Sequence, residues 1–364
     1  NGDKKVRVMR PGVDFDYTLP LGKNFGLVFT GMHSERFSEQ HISRNTYNTA
    51  GTATGASVSQ PFLQTHFLLD GPRLERRSLF SVKADWRVTP SSVLSLRLQA
   101  NRYKIMIGNN QFTTNVGANG TPTPATGVRL TFGEDFSHGA TGRAAVTLVS
   151  TGNHAIEENF SPTLNYRYDD GRWKVEAGVN RTISERVRVD YERGSFAALT
   201  ATLIPAVRVS FSDIRPDHPG TIQAFDVNNQ EVNLRDLRNY RISAATDGPR
   251  FTRVADVKAA HFSLMRRFDY FRFPTSLQIG GAHRIQSIDT DLVNGTFSYA
   301  GPDGNISTFE DATPYRARNY VGQDAGFNFG TNMPWISAFR ALEAYKQNPV
   351  LFTKTAAQIV AEEN

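Results

Sequence analysis

Between Phe80 and Ile105 the chain reads FSVKADWRVTPSSVLSLRLQANRYKI. Phe80, Val82, Ala84, Trp86 and Val88 alternate with Ser81, Lys83, Asp85 and Arg87. After Thr89–Pro90–Ser91–Ser92, the residues Leu94, Leu96, Leu98 and Ala100 alternate with Ser95, Arg97, Gln99 and Asn101. Period-two alternation is the signature of a strand, whose successive side chains point to opposite faces, and it is incompatible with a helix. Alternation alone leaves two fold classes open. In a soluble sheet the apolar set is the core, whereas in a membrane barrel it faces lipid and the charges point inward.

Three further units repeat the pattern. VDFDYTL places Val13, Phe15, Tyr17 and Leu19 on one face, and FGLVFTGMH returns after a Pro20–Gly22 turn. LNYRYDDGRWKVEAGVN puts Leu164, Tyr166, Tyr168, Trp173, Val175, Ala177 and Val179 opposite Asn165, Arg167, Lys174, Glu176 and Asn180. An Asp-Gly step between such runs signals a hairpin, because Gly accepts positive φ. The last unit, HFSLMRRFDYFRFPTSLQIGGAHRIQ, is less regular, since Arg266 falls on the Phe262–Leu264 face, while Gly280–Gly281 reads as a kink or close approach within its return strand. Together the units supply about eight main strands of about ten residues, enough to cross a hydrocarbon core when tilted.

The connections between units, residues 35–76, 108–160, 182–257 and 288–364, read as long loops rich in Gly, Thr, Asn, Pro and Ser. They contain strand-like pieces at 143–149 and 206–211 and one helix, SAFRALEAYKQ, which Ser337 caps and which stops before Pro349. Short turns therefore alternate with long loops, which in a meander gathers each kind at one end. Outer-membrane barrels have that asymmetry. Tyr17, Trp86, Tyr168, Trp173, Phe268, Tyr270, Phe271 and Phe273 crowd the short-turn end, where Tyr and Trp rings would sit at the headgroup level. The expected fold is all-β: an antiparallel up-and-down transmembrane β-barrel, partial, with long extracellular loops.

A mean hydropathy of −0.41 does not oppose this reading, because a barrel exposes only alternate residues to lipid. No run approaches the ~18 apolar residues of a membrane-spanning helix. The chain has no cysteine, which excludes disulfides, thiolate metal sites and cysteine nucleophiles. A net charge of +6 on 364 residues is modest and dispersed, so nucleic acid is not an expected partner.

The segments SLFSVKADWRVTPSSVLSLRLQANRY and SPTLNYRYDDGRWKVEAGVNRTISERVRVD, with a T-P or D-G-x-W turn between long alternating strands and a large loop after, resemble the barrel part of TonB-dependent outer-membrane receptors. The segment PYRARNY…NMPWISAFRALEAYKQNPVLF is similar to one of their large surface loops. The resemblance covers most of the chain and rests on pattern rather than on an invariant motif. It implies a receptor in the bacterial outer membrane that binds a scarce ligand (a siderophore, a vitamin-like compound or a glycan) and moves it to the periplasm. The implied partners are outer-membrane lipid, that ligand, and the TonB complex acting through a plug domain not visible here. The family's barrel has about 22 strands. Residues 1–364 are accordingly expected to form part of one barrel domain, truncated at both ends.

In that frame Asn101, Tyr103, Asn180 and Arg284, inward and toward the loops, are the expected ligand contacts. Lys83, Asp85, Arg87, Arg97 and Arg167 are the expected plug-facing inner wall. Chemistry on the substrate is not expected: no H-E-x-x-H, G-x-S-x-G, P-loop or G-x-G-x-x-G occurs, and no metal site or cofactor is indicated. GPDGNISTFED (301–311) reads as an Asp-Gly turn, its glycine misplaced for a calcium loop. A passive porin-like or adhesin barrel, and a soluble β-rich glycan-binding or glycan-active protein, are the competing readings.

Overall fold

A computed structural model of the chain describes residues 10–204, 207–248, 250–270, 272–317 and 333–363. Phe271, Ala206, the first residues NGDKKVRV, the 318–332 stretch of the expected surface loop and Asn364 lie outside them. In chain order the strands are β1 (Val13–Pro20), β2 (Phe25–Asn48), β3 (Phe62–Thr89), β4 (Ser92–Asn115), β5 (Thr131–Phe132), β6 (Phe136–His138), β7 (Ala145–Asp169) and β8 (Trp173–Arg188). They continue with β9 (Ala198–Leu203), β10 (Arg208–Ile214), β11 (Pro219–Phe225), β12 (Glu231–Val232), β13 (Tyr240–Thr246), β14 (Arg250–Phe268), β15 (Thr275–Val293), β16 (Thr296–Tyr299) and β17 (Phe352–Thr353). Helices α1 (Ala338–Gln347) and α2 (Ala356–Glu363) close the chain.

The eight long alternating strands form an antiparallel meander, β1-β2-β3-β4-β7-β8-β14-β15, within a 12-stranded sheet. Its order and its short turns are those the alternation predicts. Gly22 and Gly171 take φ of 81° and 93° in two of those turns, where a Cβ would be strained. The meander does not close: among the described residues β1 and β15 pair on one side only. The fold is thus all-β and antiparallel, and a closed barrel is not observed.

Two expectations need correction. The strands exceed about ten residues, with 24 in β2, 28 in β3 and 25 in β7. Much of what composition marks as loop, at 35–48, 62–76, 108–115 and 145–160, is the upward extension of the same strands. Gly, Asn and Pro lower strand propensity, but pairing with an existing neighbour outweighs that local preference.

At Gly152–His154 the sheet forks. Below, β7 pairs β8; above, Thr147–Thr151 pair β9, which leads on to β13, β16 and β17. Asp190 holds the fork: it accepts from the His154 backbone N–H at 2.7 Å and from Arg188 at 2.5 Å, while Arg188 also donates to the Gly152 carbonyl at 2.7 Å.

A second antiparallel sheet, β12-β11-β10-β6-β5, packs over the upper strands as a cap. It is tied down by Ser137 Oγ accepting from Leu63 N–H, and by Ser43 and Asn45 donating to the carbonyls of Asp217 and Arg215. Helix α1 starts at Ser337 as expected, whose Oγ accepts from Arg340 N–H at 3.3 Å. It seats Ala338 on Ser150 of β7 and buries Ala341 and Leu342. The core lies here, under the cap. Phe196 stacks on Phe297, Tyr345 and Phe352, and Tyr299 meets Tyr315 edge to face. Gly301 and Gly304 make the expected Asp-Gly turn, with Asp303 accepting from Asn305 N–H.

Candidate functional site

Register fixes which side chains share a face. One cross-strand row runs Leu19–Leu27–Ala84–Leu96–Leu164–Val179–Ala260–His283. The next row toward the turns runs Phe25–Trp86–Leu94–Tyr166–Ala177–Phe262–Gly281. These rows build an apolar face that stays uncovered: Phe80, Leu96, Leu98, Phe160, Leu164, Val179 and Phe262 are all exposed. Arg266, the irregular position, lies over the rings of Trp173 and Phe268 at 4.9 and 5.2 Å, which accommodates a cation among aromatics.

Higher on the same face the row Leu68–Phe112–Leu148–Ala201–Ile242 is fully buried, with the cap over β3 and α1 over β7 and β9. Leu68, Phe112 and Leu148 are in phase with Ala84, Leu96 and Leu164, an even number of residues away. One face therefore carries both the uncovered belt and the buried core, a juxtaposition that alternation does not reveal.

The opposite face is polar from the short turns upward. Lys83, Arg97, Thr163, Asn180, Ala259 and Arg284 form one row. Asn180 and Arg284, expected with the loop-end group, thus share a row with Lys83 and Arg97 of the expected inner wall. Lys83 Nζ is 2.8 Å from Asp85, which also accepts from Ser95 Oγ at 2.5 Å. Arg284 donates to Gln286 at 3.1 Å. Arg87 and Arg167 flank Val93 from either side near the turns, and Arg167 stands opposite Glu176. Asn101 lies between Leu79 and Asn159, higher up.

Tyr103 belongs to a longer assembly. The row Ser34–Arg77–Tyr103–Glu157–Arg186–Arg253–Thr290 crosses seven strands of the polar face. Arg77 lies over the Tyr103 ring at 5.2 Å, and Arg73 is within side-chain hydrogen-bonding reach of the same tyrosine. Glu75, itself buried, binds Arg73 at 2.5 Å and Arg77 at 3.5 Å. Arg186 and Arg253 both approach the Phe251 ring at 5.8 Å. Guanidinium groups beside aromatic rings make planar donors that suit oxygen-rich ligands. Sequence reading reached Tyr103 and missed its neighbours. The signal was present: Arg73, Glu75 and Arg77 continue the phase of Lys83, Asp85 and Arg87 through a stretch read as loop.

A cavity of about 770 Å³ opens between the cap and β4. Phe112, Arg215, His218, Glu231, Asn233 and Met333 are among its lining residues. Its volume is that of a site for a small organic ligand. His218 Nδ1 is 2.9 Å from Asp217, and both bear on His66, which lies fully buried in the upper extension of β3. Burial, and next the charge of His218, lower the His66 pKa to about 4, so it is neutral at physiological pH. Among the described residues no cluster of His, Asp and Glu has the makings of a metal site.

No protein-family model matches the sequence, and no curated protein matches it. Among solved structures, the chain is similar at a TM-score of 0.12 and 8% identity to the siderophore receptor PiuA from Acinetobacter baumannii. That match covers 90% of this chain and 50% of that one, so the chain spans about half its length, and a likeness this slight assigns neither fold nor function.

Proposed function

We propose that the chain is part of the wall of an outer-membrane receptor barrel, binding a scarce ligand on its polar face and in its surface cap for TonB-energised uptake. The observation that carries this is the meander of eight strands with an uncovered apolar belt on one face and arginine-rich rows on the other. The belt has the right height. From the Ser92–Tyr168 pair to the Ala100–Phe160 pair is eight residues of β4. At ~3.4 Å per residue and a tilt of ~35–45°, that is roughly 19–22 Å along the membrane normal, against ~25 Å for an outer-membrane apolar band.

Ligand would enter through the capped end, and the Arg77–Tyr103–Arg186 row would contact it on the lumen side. Tyr103 is its expected centre, with Asn101 below it. The rows of Lys83, Asp85, Arg87, Arg97, Arg167, Asn180 and Arg284 would face a plug. The plug, the remaining strands and the TonB complex belong to the proposal. No chemical step on the ligand is part of it.

The test is extraction of the full-length gene product from bacterial membranes. The proposal expects retention in the membrane through high salt and alkaline wash, with release by detergent. Release by salt alone would favour the second reading, a soluble β-rich binding module, which draws support from the buried core and cavity beneath the cap.

A further inference from the structure

The apolar face changes character just above the Ala100–Phe160 pair. One row up stand His33, Ser78, Arg102, Glu158 and Glu185, and in the next Glu35, Arg76, Lys104, Ile156 and Val187. The acids of this zone are already engaged or face one another. Glu35 binds Arg10 at 2.7 Å and Arg76 at 2.6 Å, Glu158 binds Arg102 at 3.0 Å, and Glu185 lies directly across from Glu158.

Lys104 has no acidic partner among the described residues. It faces Arg76 across the β3–β4 pair, and the charges bearing on it are those of Arg193, Arg76 and Arg102. Arg193, from the turn after β8, is exposed and likewise makes no ion pair among the described residues. Like charges placed directly opposite destabilise a sheet. Arg76 and Arg102 are each paired with an acid, so the charge left unbalanced is that of Lys104 and Arg193, and an anion held beside them would offset it.

The level of the cluster is informative. From Ala100 to Lys104 is four residues of β4. At ~3.4 Å per residue and the same tilt this is about 10 Å above the upper edge of the belt, where headgroup phosphates border the acyl region.

We propose that Arg76, Arg102, Lys104 and Arg193 form an outer-surface site for the phosphate of a lipid headgroup with net negative charge, whose acyl chains lie on Leu98 and Phe160 below. The site rests on the membrane reading given above and adds a specific lipid partner to it. The belt supplies the apolar half of that partner's footprint and the four cations the charged half, which is why a lipid rather than a free anion is the occupant.

The test uses detergent-purified protein supplied with phosphatidylglycerol or phosphatidylcholine in mixed micelles, bound lipid being counted by native mass spectrometry. Phosphatidylglycerol is retained in preference to phosphatidylcholine. Replacing Lys104→Gln and Arg193→Gln together weakens phosphatidylglycerol binding about thirtyfold, roughly fivefold per charge, and leaves phosphatidylcholine unchanged. Arg193→Gln alone, which changes an exposed side chain and leaves the turn's backbone hydrogen bonds in place, gives the fivefold step. Arg167→Gln, on the polar face, leaves the preference intact.

Equal retention of the two lipids overturns the site, as does a double variant that keeps the preference. Displacement of phosphatidylglycerol by millimolar inorganic phosphate assigns the cluster to a free anion and overturns the lipid. A protein that stays in solution without detergent refutes the membrane reading at the purification step, before any lipid is added, so the two failures are distinct.

Discussion

Leu96 stands midway up the belt, four residues from Ser92 and four from Ala100 on β4, and its row is apolar across the sheet from Leu19 to Ala260. If that face meets lipid, Leu96→Arg puts a guanidinium at the midplane and destabilises the folded protein by about 2–4 kcal/mol. The same change at Ala100, at the rim of the belt, falls to about 0–1 kcal/mol. Arg97, one residue along, points to the polar face directly across from Lys83, so Arg97→Leu removes a like-charge opposition and stays within about 0.5 kcal/mol of the parent. The assay is equilibrium urea unfolding of full-length protein folded into lipid vesicles, read as a shift in midpoint at constant slope. Equal tolerance of Leu96→Arg and Arg97→Leu, or a flat series from Leu96 to Ala100, would refute the assignment of faces.

Three other outcomes are expected. His66 is buried and neutral, with a folded pKa of about 4 against 6.5 when unfolded. Stability is therefore full above pH 6.5 and declines as pH falls toward 4, by up to about 3 kcal/mol. His66→Gln flattens that window in urea titrations run at successive pH values. Gly171 has φ of 93°, and nothing lies within 4 Å of where an alanine methyl would sit. Gly171→Ala therefore costs about 1–2 kcal/mol through the backbone alone, measurable in the vesicle assay. Phe196→Ala empties the centre of the aromatic cluster that joins β16, α1 and β17 at a cost of about 3–5 kcal/mol, read as faster tryptic cleavage around α1 while the hairpins below stay protected.

The hairpins were legible because their information is local. Alternation sets the faces, and the Pro20–Gly22, Thr89–Ser92 and Asp169–Gly171 turns set the register. Helix α1 was legible for the same reason, through Ser337 and Pro349. The cap was not, because β5, β6 and β10–β12 are short strands that exist by pairing with partners far along the chain. Ser137 finds Leu63, and Ser43 finds Asp217, across separations that no window of sequence reports. Of the candidate contacts, Tyr103 was reachable from phase alone. Its arginine neighbours were hidden by reading Gly- and Asn-rich composition as loop, although the odd-numbered phase of Lys83 and Asp85 runs unbroken through Arg77, Glu75 and Arg73. The cap cavity had no such signal, since His218, Glu231 and Phe112 meet only once both sheets are in place.

The central claim is that one face of the meander meets lipid and the other an aqueous lumen. Residues 1–364 contain no cysteine, so single cysteines placed in them have no background from this part of the protein. Placed one at a time from Leu94 to Asn101 in the full-length protein, in intact membranes, they are probed with a water-soluble maleimide. The account predicts labelling at Ser95, Arg97, Gln99 and Asn101, and protection at Leu94, Leu96 and Leu98, where an environment-sensitive probe reports lipid. Uniform labelling along β4, or labelling of the leucine set, would contradict it.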